Sequence, residues 1–338
     1  MRNIKKSIIG VALNCSLLAA TSLVYAHGES IRGGGAGSVN AVGAGISEEV
    51  VVGVRWDARR YETFSDQELA DFKRDDEDVH MHSSEDAYFL TIGLPVTEDI
   101  DLSIMTQYNR FQGFKDNGDD FANACFAAAA PAFPTSCISE TDDSSGWGDT
   151  LLMGRYRFYN DGESQWAGVL GIILPTGKTT NKTDNGETLG THNQPGSGAF
   201  TVQGGVAFSG HLSDKMAIDA DAIYRVNGQG AKSFRSGNSL QLDVAVSYNH
   251  HASLVPVLEL NGIFFKKDIE NDDTKKNSGG DVLDISPGLN WNATKKIGFY
   301  GNFSYPIYQE LGGISNDEKY RWSLGASYAF GGRVEGGH

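Results

Sequence analysis

The sequence has no apolar run long enough to cross a membrane as a helix. Residues 8–18 form a mostly apolar stretch near the N-terminus, and no later segment approaches 18 consecutive apolar residues. The pattern of a long amphipathic helix is missing as well. These absences exclude a helical membrane protein and leave strands as the expected secondary structure.

Basic residues are also few, since 28 Lys and Arg stand against 43 Asp and Glu and give a net charge of −15. Nucleic acids are polyanions and are bound by basic surfaces. We therefore expect no nucleic-acid partner. Much of the acidic excess lies in residues 62–85 and 113–146, which we interpret as solvated external loops that attract cations.

The N-terminus has the features of a secretory signal peptide, residues 1–26. Arg2, Lys5 and Lys6 precede the apolar stretch, and Ala26 ends a small-residue cleavage site. Cleavage there would leave a mature chain that begins with the next residue. We therefore expect the protein to be exported and its signal peptide to be removed.

Cysteine is scarce, with three in the sequence. Cys15 lies in the signal peptide, so the mature chain keeps Cys125 and Cys137. An exported protein meets an oxidising compartment. We therefore predict a disulfide between Cys125 and Cys137; a metal-binding pair or two free thiols are the alternatives.

What the sequence has throughout residues 46–330 is alternation with a period of two. Segments of about ten residues alternate apolar with polar or small side chains, as strands of membrane barrels do. In the last segment Trp322, Leu324 and Tyr328 share one face, and Ser323 lies on the other. The twelve predicted strands are 47–61, 86–94, 101–112, 147–159, 165–174, 199–209, 215–227, 238–249, 254–266, 281–292, 297–308 and 319–330.

The connections between these segments alternate between short and long. Outer-membrane barrels have short periplasmic turns and long external loops, and an even number of strands places both termini in the periplasm. A soluble β-sandwich or a periplasmic barrel also alternates, but aromatic residues near the segment ends suit membrane interfaces. The predicted fold is all-β, a transmembrane antiparallel β-barrel of about 12 strands formed by residues 46–330 and followed by a tail at 331–338.

The alternation also assigns charged residues to the inside of the barrel. We interpret them either as ion pairs that stiffen the wall or as a lining that guides a solute. Under the second interpretation, arginines of strands 1 and 4 face acids of strands 7 to 9 across the bore. The predicted lumen-lining residues are Arg55, Asp57, Arg59, Asp149, Arg155, Arg157, Asp219, Asp221, Arg225, Asp243, Glu259, Asp284 and Arg321.

Residues 27–45 are rich in glycine and other small residues. They precede the first predicted strand and therefore begin on the periplasmic side. Two interpretations stay open for this segment. It is either a disordered tail or a segment that enters the lumen as a partial plug.

Motifs for catalysis and cofactor binding are weak. Residues 174–179 end like a phosphate-binding loop, but Ile172 occupies the position of that motif's first glycine. No histidine lies in a predicted strand, whereas a hydrolase site on the wall needs a His beside a Ser. We therefore expect no cofactor and no enzymatic activity. His80 and His82 near acidic residues, and His27 at the mature terminus, are candidate metal ligands.

Two glycine-bearing stretches carry a family likeness, residues 146–158 and residues 168–178. The first opens with Gly-Trp-Gly-Asp, the second closes with Leu-Pro-Thr-Gly-Lys, and Gln-Pro-Gly-Ser-Gly follows at 194–198. This arrangement resembles the outer-membrane transporter-like family named for the meta-pathway of phenol degradation. The resemblance implies a porin-like barrel associated with uptake of aromatic or other small hydrophobic compounds, and it supplies no substrate-binding residues.

The sequence therefore predicts a protein of the bacterial outer membrane, surrounded by lipid, that passively admits small solutes, aromatic or hydrophobic compounds among them. Two alternatives stay open. One is a structural or partner-binding barrel whose lumen is closed by paired charges, and the other is a metal-linked outer-membrane protein that uses His27, His80 and His82. The sequence does not indicate an oligomeric state.

Overall fold

The computed structural model of the protein describes residues 40–330 apart from residues 184, 185, 187, 252, 315 and 316. The predicted signal peptide, residue His27 and the predicted C-terminal tail lie outside the described residues. Everything that follows concerns the described part of the chain.

The chain forms long strands joined by turns and loops, with two short helices in the loops. The helices are α1 (Asp66–Arg74) and α2 (Asp120–Ala129). The strands, in chain order, are β1 (Val50–Tyr61), β2 (His80–Met81), β3 (Ser84–Pro95), β4 (Ile100–Asp116), β5 (Ser139–Trp147), β6 (Thr150–Asn160), β7 (Ser164–Leu174), β8 (Thr201–Ser213), β9 (Met216–Asn227), β10 (Phe234–Arg235), β11 (Ser239–Tyr248), β12 (Leu254–Phe265), β13 (Ile269–Glu270), β14 (Asp273–Thr274), β15 (Gly280–Asn292), β16 (Ile297–Leu311) and β17 (Glu318–Phe330).

The long strands close into an antiparallel barrel. Each pairs with its neighbours in chain order, and β1 pairs with β3 on one side and with β17 on the other. The strand β4 pairs with β5 near its outer end and with β6 near its inner end, so β5 and β6 together occupy one position in the ring. The prediction of a twelve-stranded antiparallel barrel is therefore confirmed.

The fourth strand differs from the prediction of one continuous segment at 147–159. It begins earlier, at Ser139, and is divided after Trp147. The division has a local cause, because Gly148 and Asp149 leave the strand and the Asp149 carboxylate accepts hydrogen bonds from both ends of the loop between β7 and β8. The alternation of side chains alone does not reveal such a break.

Side chains alternate between an exposed outer face and a buried inner face. In β17, Leu324 is 48 % exposed whereas Ser323 beside it is 1 % exposed. The outer face carries large apolar residues on every long strand, with aromatic residues such as Tyr88, Trp166 and Trp291 among them. This outward apolar band is the surface that a membrane barrel presents to lipid.

The helices belong to an external lobe formed by residues 62–83 and 117–138. The helix α1 begins with a capping box, in which the Ser65 hydroxyl accepts from the Glu68 N–H and the Glu68 carboxylate accepts from the Ser65 N–H. Leu69 and Phe126 pack in its apolar core. Cys125 and Cys137 are bonded to each other, so the predicted disulfide is confirmed and closes this lobe. Among the described residues, no helix has the length and hydropathy to span a membrane.

The position of the outward apolar band along the strands can be tested directly. Leu324 lies at the middle of β17, and Leu212 lies near the turn at the end of β8; both side chains are exposed. We expect Leu324→Arg to destabilise the protein folded in lipid vesicles by about 2–4 kcal/mol, and Leu212→Arg to destabilise it by about 0–1 kcal/mol. The two values differ because the cost of an arginine side chain is greatest at the middle of the bilayer. Reversible urea unfolding in vesicles measures both. Equal losses for the two variants would contradict the placement of the band.

Candidate functional site

The candidate site is the lumen of the barrel, because most of the predicted charged lining is buried there. Twelve of the thirteen predicted residues are buried, and Arg157 is half-buried near the inner end of β6. Asp149 lies in the break between β5 and β6 rather than on a strand. The guanidinium of Arg225 donates to the Gln203 Oε1 at 2.8 Å. The lumen therefore holds many charges in a small volume.

The arginines pair with nearby carboxylates. Arg155 donates through Nε to Asp101 Oδ1 at 3.1 Å and through a second nitrogen to the other oxygen. Arg55 Nε lies 3.0 Å from Asp57 Oδ1 on the same strand. Local pairs of this kind are what the interpretation as wall-stiffening ion pairs expects, and the transverse field across the bore stays a prediction. Further close pairs are Arg59 with Glu85, Arg157 with Asp99, and Arg321 with Asp284.

Three of these partners were missed at the level of sequence, and one of them, Asp99, lies in the turn between β3 and β4. Glu85 precedes the start assigned to the second strand, at residue 86, so it fell outside the alternating window. Asp101 shares its parity with the inward-facing Ser103 and Met105, so the alternation did contain the signal for it.

The lumen also has an apolar sector, formed by the strands from β3 to β9. Phe89, Met105 and Met153 belong to one cluster of buried apolar side chains in this sector. The Arg55 guanidinium lies over the Phe89 ring, 4.4 Å from its centroid, at the boundary with the polar wall. The rest of the cluster is Val42, Ala44, Ala87, Leu151, Ala167, Val169, Ile173, Ala207 and Ile223.

The segment before β1 contacts the inner wall. The Asn40 N–H and side-chain amide donate to Glu259 Oε2 at 3.0 and 2.9 Å, and the Val42 N–H donates to Asp221 Oδ2 at 2.6 Å. Further along, the Ala44 N–H donates to the Ser209 hydroxyl at 2.8 Å. Residues 41, 42 and 44 are fully buried. These contacts reach β8, β9 and β12, so residues 40–44 lie inside the barrel.

The opposite side of the segment is held by the apolar sector and its arginine. Arg155 Nη1 donates to the Gly43 carbonyl oxygen at 2.7 Å. A Cβ atom on Gly43 would lie 2.8 Å from Asp219 Oδ1 and 2.9 Å from the Ser209 hydroxyl oxygen. Glycine lets the segment approach the wall this closely, and a larger residue at position 43 would need the side chains of Asp219 and Ser209 to shift or, at position 209, to be replaced.

The glycine-bearing stretches of the sequence meet at the outer end of the lumen. Asp149 Oδ1 accepts from the Gly177 N–H at 2.8 Å, and Asp149 Oδ2 accepts from the Ser197 N–H at 2.8 Å and its hydroxyl at 2.6 Å. A Cβ on Gly177 would lie 2.5 Å from the Gly196 Cα. Asp149 therefore anchors both ends of the loop between β7 and β8, and the glycines permit backbone contact between those ends.

The external lobe is tied to the loop on the other side of the mouth. Lys276 forms an ion pair with Glu77, and Asn277 Nδ2 donates to the same carboxylate at 3.1 Å. The lysine pair holds the pKa of Glu77 below its usual value. Ile314, from a third loop, packs against the core of the lobe. Loops from three sides thus meet over the outer end of the barrel.

The two histidines of the lobe, His80 and His82, lie in different surroundings. The backbone of His80 pairs with Asp116, whereas His82 is buried with its ring against Tyr61 and Phe111, at centroid distances of 4.7 and 5.4 Å. No group of three or more potential metal ligands occurs within the described ranges of the chain. His27 lies outside them, so the metal-linked alternative gains no support from the described residues.

The burial of His82 predicts that the lobe weakens in acid. Burial, with smaller contributions from the charges of His80 and Arg59, lowers the pKa of His82 to about 3. The unfolded lobe takes up this proton near pH 6.5 and the folded lobe does not, so stability is complete above about pH 6.5 and falls as the pH drops towards 3. We expect a loss of about 2 kcal/mol between pH 6.5 and pH 5.

Hydrogen exchange of the α1 and α2 amides, corrected for the intrinsic effect of pH, measures this loss. The variant His82→Phe keeps an aromatic ring between Tyr61 and Phe111 but does not titrate, so its protection should be nearly independent of pH. A wild-type lobe that stays equally protected at pH 5 would contradict the prediction.

Comparison with known proteins adds a family and a fold. The family model described as "Putative MetA-pathway of phenol degradation" matches residues 96–316. An outer membrane channel from Pseudomonas putida F1 is 14 % identical, with a TM-score of 0.58 over 85 % of this chain and 97 % of that one. No curated protein sequence matches.

Two other solved structures are more distantly similar. The CymD monoaromatic hydrocarbon channel is 9 % identical, with a TM-score of 0.46 over 96 % of this chain and 98 % of that one. The NanC porin is 12 % identical, with a TM-score of 0.46 over 82 % of this chain and all of that one.

Proposed function

Since the chain belongs to the family whose model matches residues 96–316, named for the MetA pathway of phenol degradation, we propose that it is a passive outer-membrane channel for small solutes, with residues 40–44 as a partial plug. The observation that carries the proposal is that a peptide segment lies inside the lumen and is held to the inner wall by hydrogen bonds. A segment held only by such contacts can leave the lumen, whereas the strands of the wall are fixed in the closed sheet.

The size of the barrel supports this function. The interior of an eight-stranded barrel is just filled by side chains, and the diameter grows with the number of strands. A ring of twelve strands is therefore wider than its side chains need, and in this protein residues 40–44 take up part of that width. Displacement of the segment would open a path between the apolar sector and the charged wall.

The character of the wall supports small amphipathic or aromatic solutes. The sector around Phe89, Met105 and Met153 offers an apolar surface to a ring or short chain. Opposite it, β11, β12 and β15–β17 present buried polar groups such as Asn261 and Ser286. A solute with one apolar side and one polar group would be complementary to both sectors.

Export and location complete the proposal. The signal-peptide features of residues 1–26 support cleavage before His27 and delivery to the outer membrane. The proposed role is transport rather than catalysis, since Arg55, Arg155 and Arg321 are held in ion pairs and Asp221 and Glu259 bind the segment. The surrounding partner is outer-membrane lipid, which the outward apolar band would contact.

A cysteine pair tests whether the segment gates the channel. The Cβ of Gly43→Cys would lie 2.9 Å from the atom that Ser209→Cys replaces with sulfur, a spacing that suits a disulfide. In planar bilayers, we expect the oxidised double variant to be closed to ions and to recover conductance when reductant is added. The bond fixes the segment to β8, so it cannot leave the lumen.

The controls separate gating from side effects. Reductant also reaches the Cys125–Cys137 disulfide, so wild type and the single variant Ser209→Cys are recorded with and without it. Conductance that is equal in the oxidised and reduced double variant would refute gating by the segment. If wild type neither conducts nor admits solutes in liposome swelling, the closed structural barrel is the correct function.

A further inference from the structure

The wall that holds the segment contains opposed carboxylates. Asp221 on β9 and Asp243 on β11 are directly paired in the register, and Glu259 lies on β12 two residue pairs away, opposite Ala245. Directly opposed side chains on one face of a sheet lie close together, and like charges there are destabilising. All three are buried, with exposures of 7 %, 1 % and 1 %. Three buried carboxylates so close together would destabilise the wall unless hydrogen-bond donors satisfy their oxygens.

The donors that the structure shows at these carboxylates are N–H groups. Asn261 Nδ2 donates to Asp243 Oδ1 at 2.9 Å, and Gln241 donates to Asp243 Oδ2. The N–H groups of Asn40 and Val42 occupy Glu259 and one oxygen of Asp221. The other oxygen, Asp221 Oδ1, is buried without a hydrogen-bond partner among the described residues.

We propose that Asp221, Asp243 and Glu259 form a subsite for a primary ammonium group of a solute, and that residues 40–44 occupy it while no solute is bound. A primary ammonium carries three N–H donors and a positive charge on one atom. It can donate to carboxylate oxygens that lose their donors when the segment leaves and to Asp221 Oδ1, which has no hydrogen-bond partner among the described residues. A solute without N–H donors leaves these buried acceptors empty, which is unfavourable.

This inference rests on the proposed channel function and names a class of solute for it. The class is organic cations with a primary ammonium and a small apolar body, since the subsite lies across from the apolar sector. The segment would then act as a competitor of the solute, because both need the same carboxylates.

Two probes of equal charge test the subsite. Benzylammonium chloride has three N–H donors, whereas benzyltrimethylammonium chloride has none. We expect calorimetric titration of the mature protein in detergent micelles to show at least about tenfold tighter binding of benzylammonium, which corresponds to about 1.4 kcal/mol. The double variant Asp221→Asn, Asp243→Asn should bind both probes with similar affinity, and Glu259→Gln should show an intermediate preference.

The control variant is Glu85→Gln, which removes a buried inner carboxylate that pairs with Arg59 away from the subsite. We expect it to keep the preference for benzylammonium. An equal loss in this variant would mean that general charge, not the subsite, causes the preference, and would overturn the proposal. Calcium chloride that displaces benzylammonium at lower concentration than the amine itself would also overturn it, in favour of a metal site.

Reversal potentials in planar bilayers, with the same two salts, separate this inference from the channel function. Binding preference without any current would refute the channel and keep the subsite. Current with equal permeability and equal affinity for the two cations would refute the subsite and keep the channel.

Discussion

The pairing of β1 with β17 is the constraint on which the rest of the structure depends. The two strands pair from Val50 with Phe330 to Tyr61 with Glu318, and this ladder removes the last open edge of the sheet. In hydrocarbon an unpaired N–H or C=O group costs several kcal/mol, so only a closed sheet can cross a membrane. Closure in turn lets the outer face be apolar. It also separates the lumen from lipid, so that polar and charged side chains can point inward.

The burial of charges in the lumen explains why its arginines pair with carboxylates on the same or the adjacent strand. An isolated charge in a low-dielectric interior is strongly unfavourable, and a neighbouring carboxylate with good geometry removes much of that penalty. Arg155 meets Asp101 on the adjacent strand, and Arg59 meets Glu85 in the same way. A charge that faced its partner across the bore would lack this compensation. Local pairing also leaves the segment at 40–44 free to interact with the acidic wall on β9 and β12.

The sequence was sufficient for features that repeat and insufficient for features that depend on register. Alternation alone placed Leu324 outside and Ser323 inside, and it counted the strands correctly. Which arginine meets which acid depends on partners far apart in the chain, such as Asp101 and Arg155, and a one-residue slip would change every pair. The helix α1 has a local signal, its capping box, but nine residues are too few to establish a helical period.

The glycines that carry the family likeness lie at the outer mouth of the barrel, where they shape the backbone. Gly177 and Gly196 touch through their backbones, and Asp149 holds both ends of the loop between β7 and β8. These residues fix the shape of this loop, because any larger side chain at the contact would separate its two ends. None of them points a chemical group at a solute. The proposed selectivity therefore depends on residues deeper in the lumen, where Phe89 and Asp221 offer an apolar ring and a buried carboxylate, and neither residue belongs to the contacts that hold the mouth.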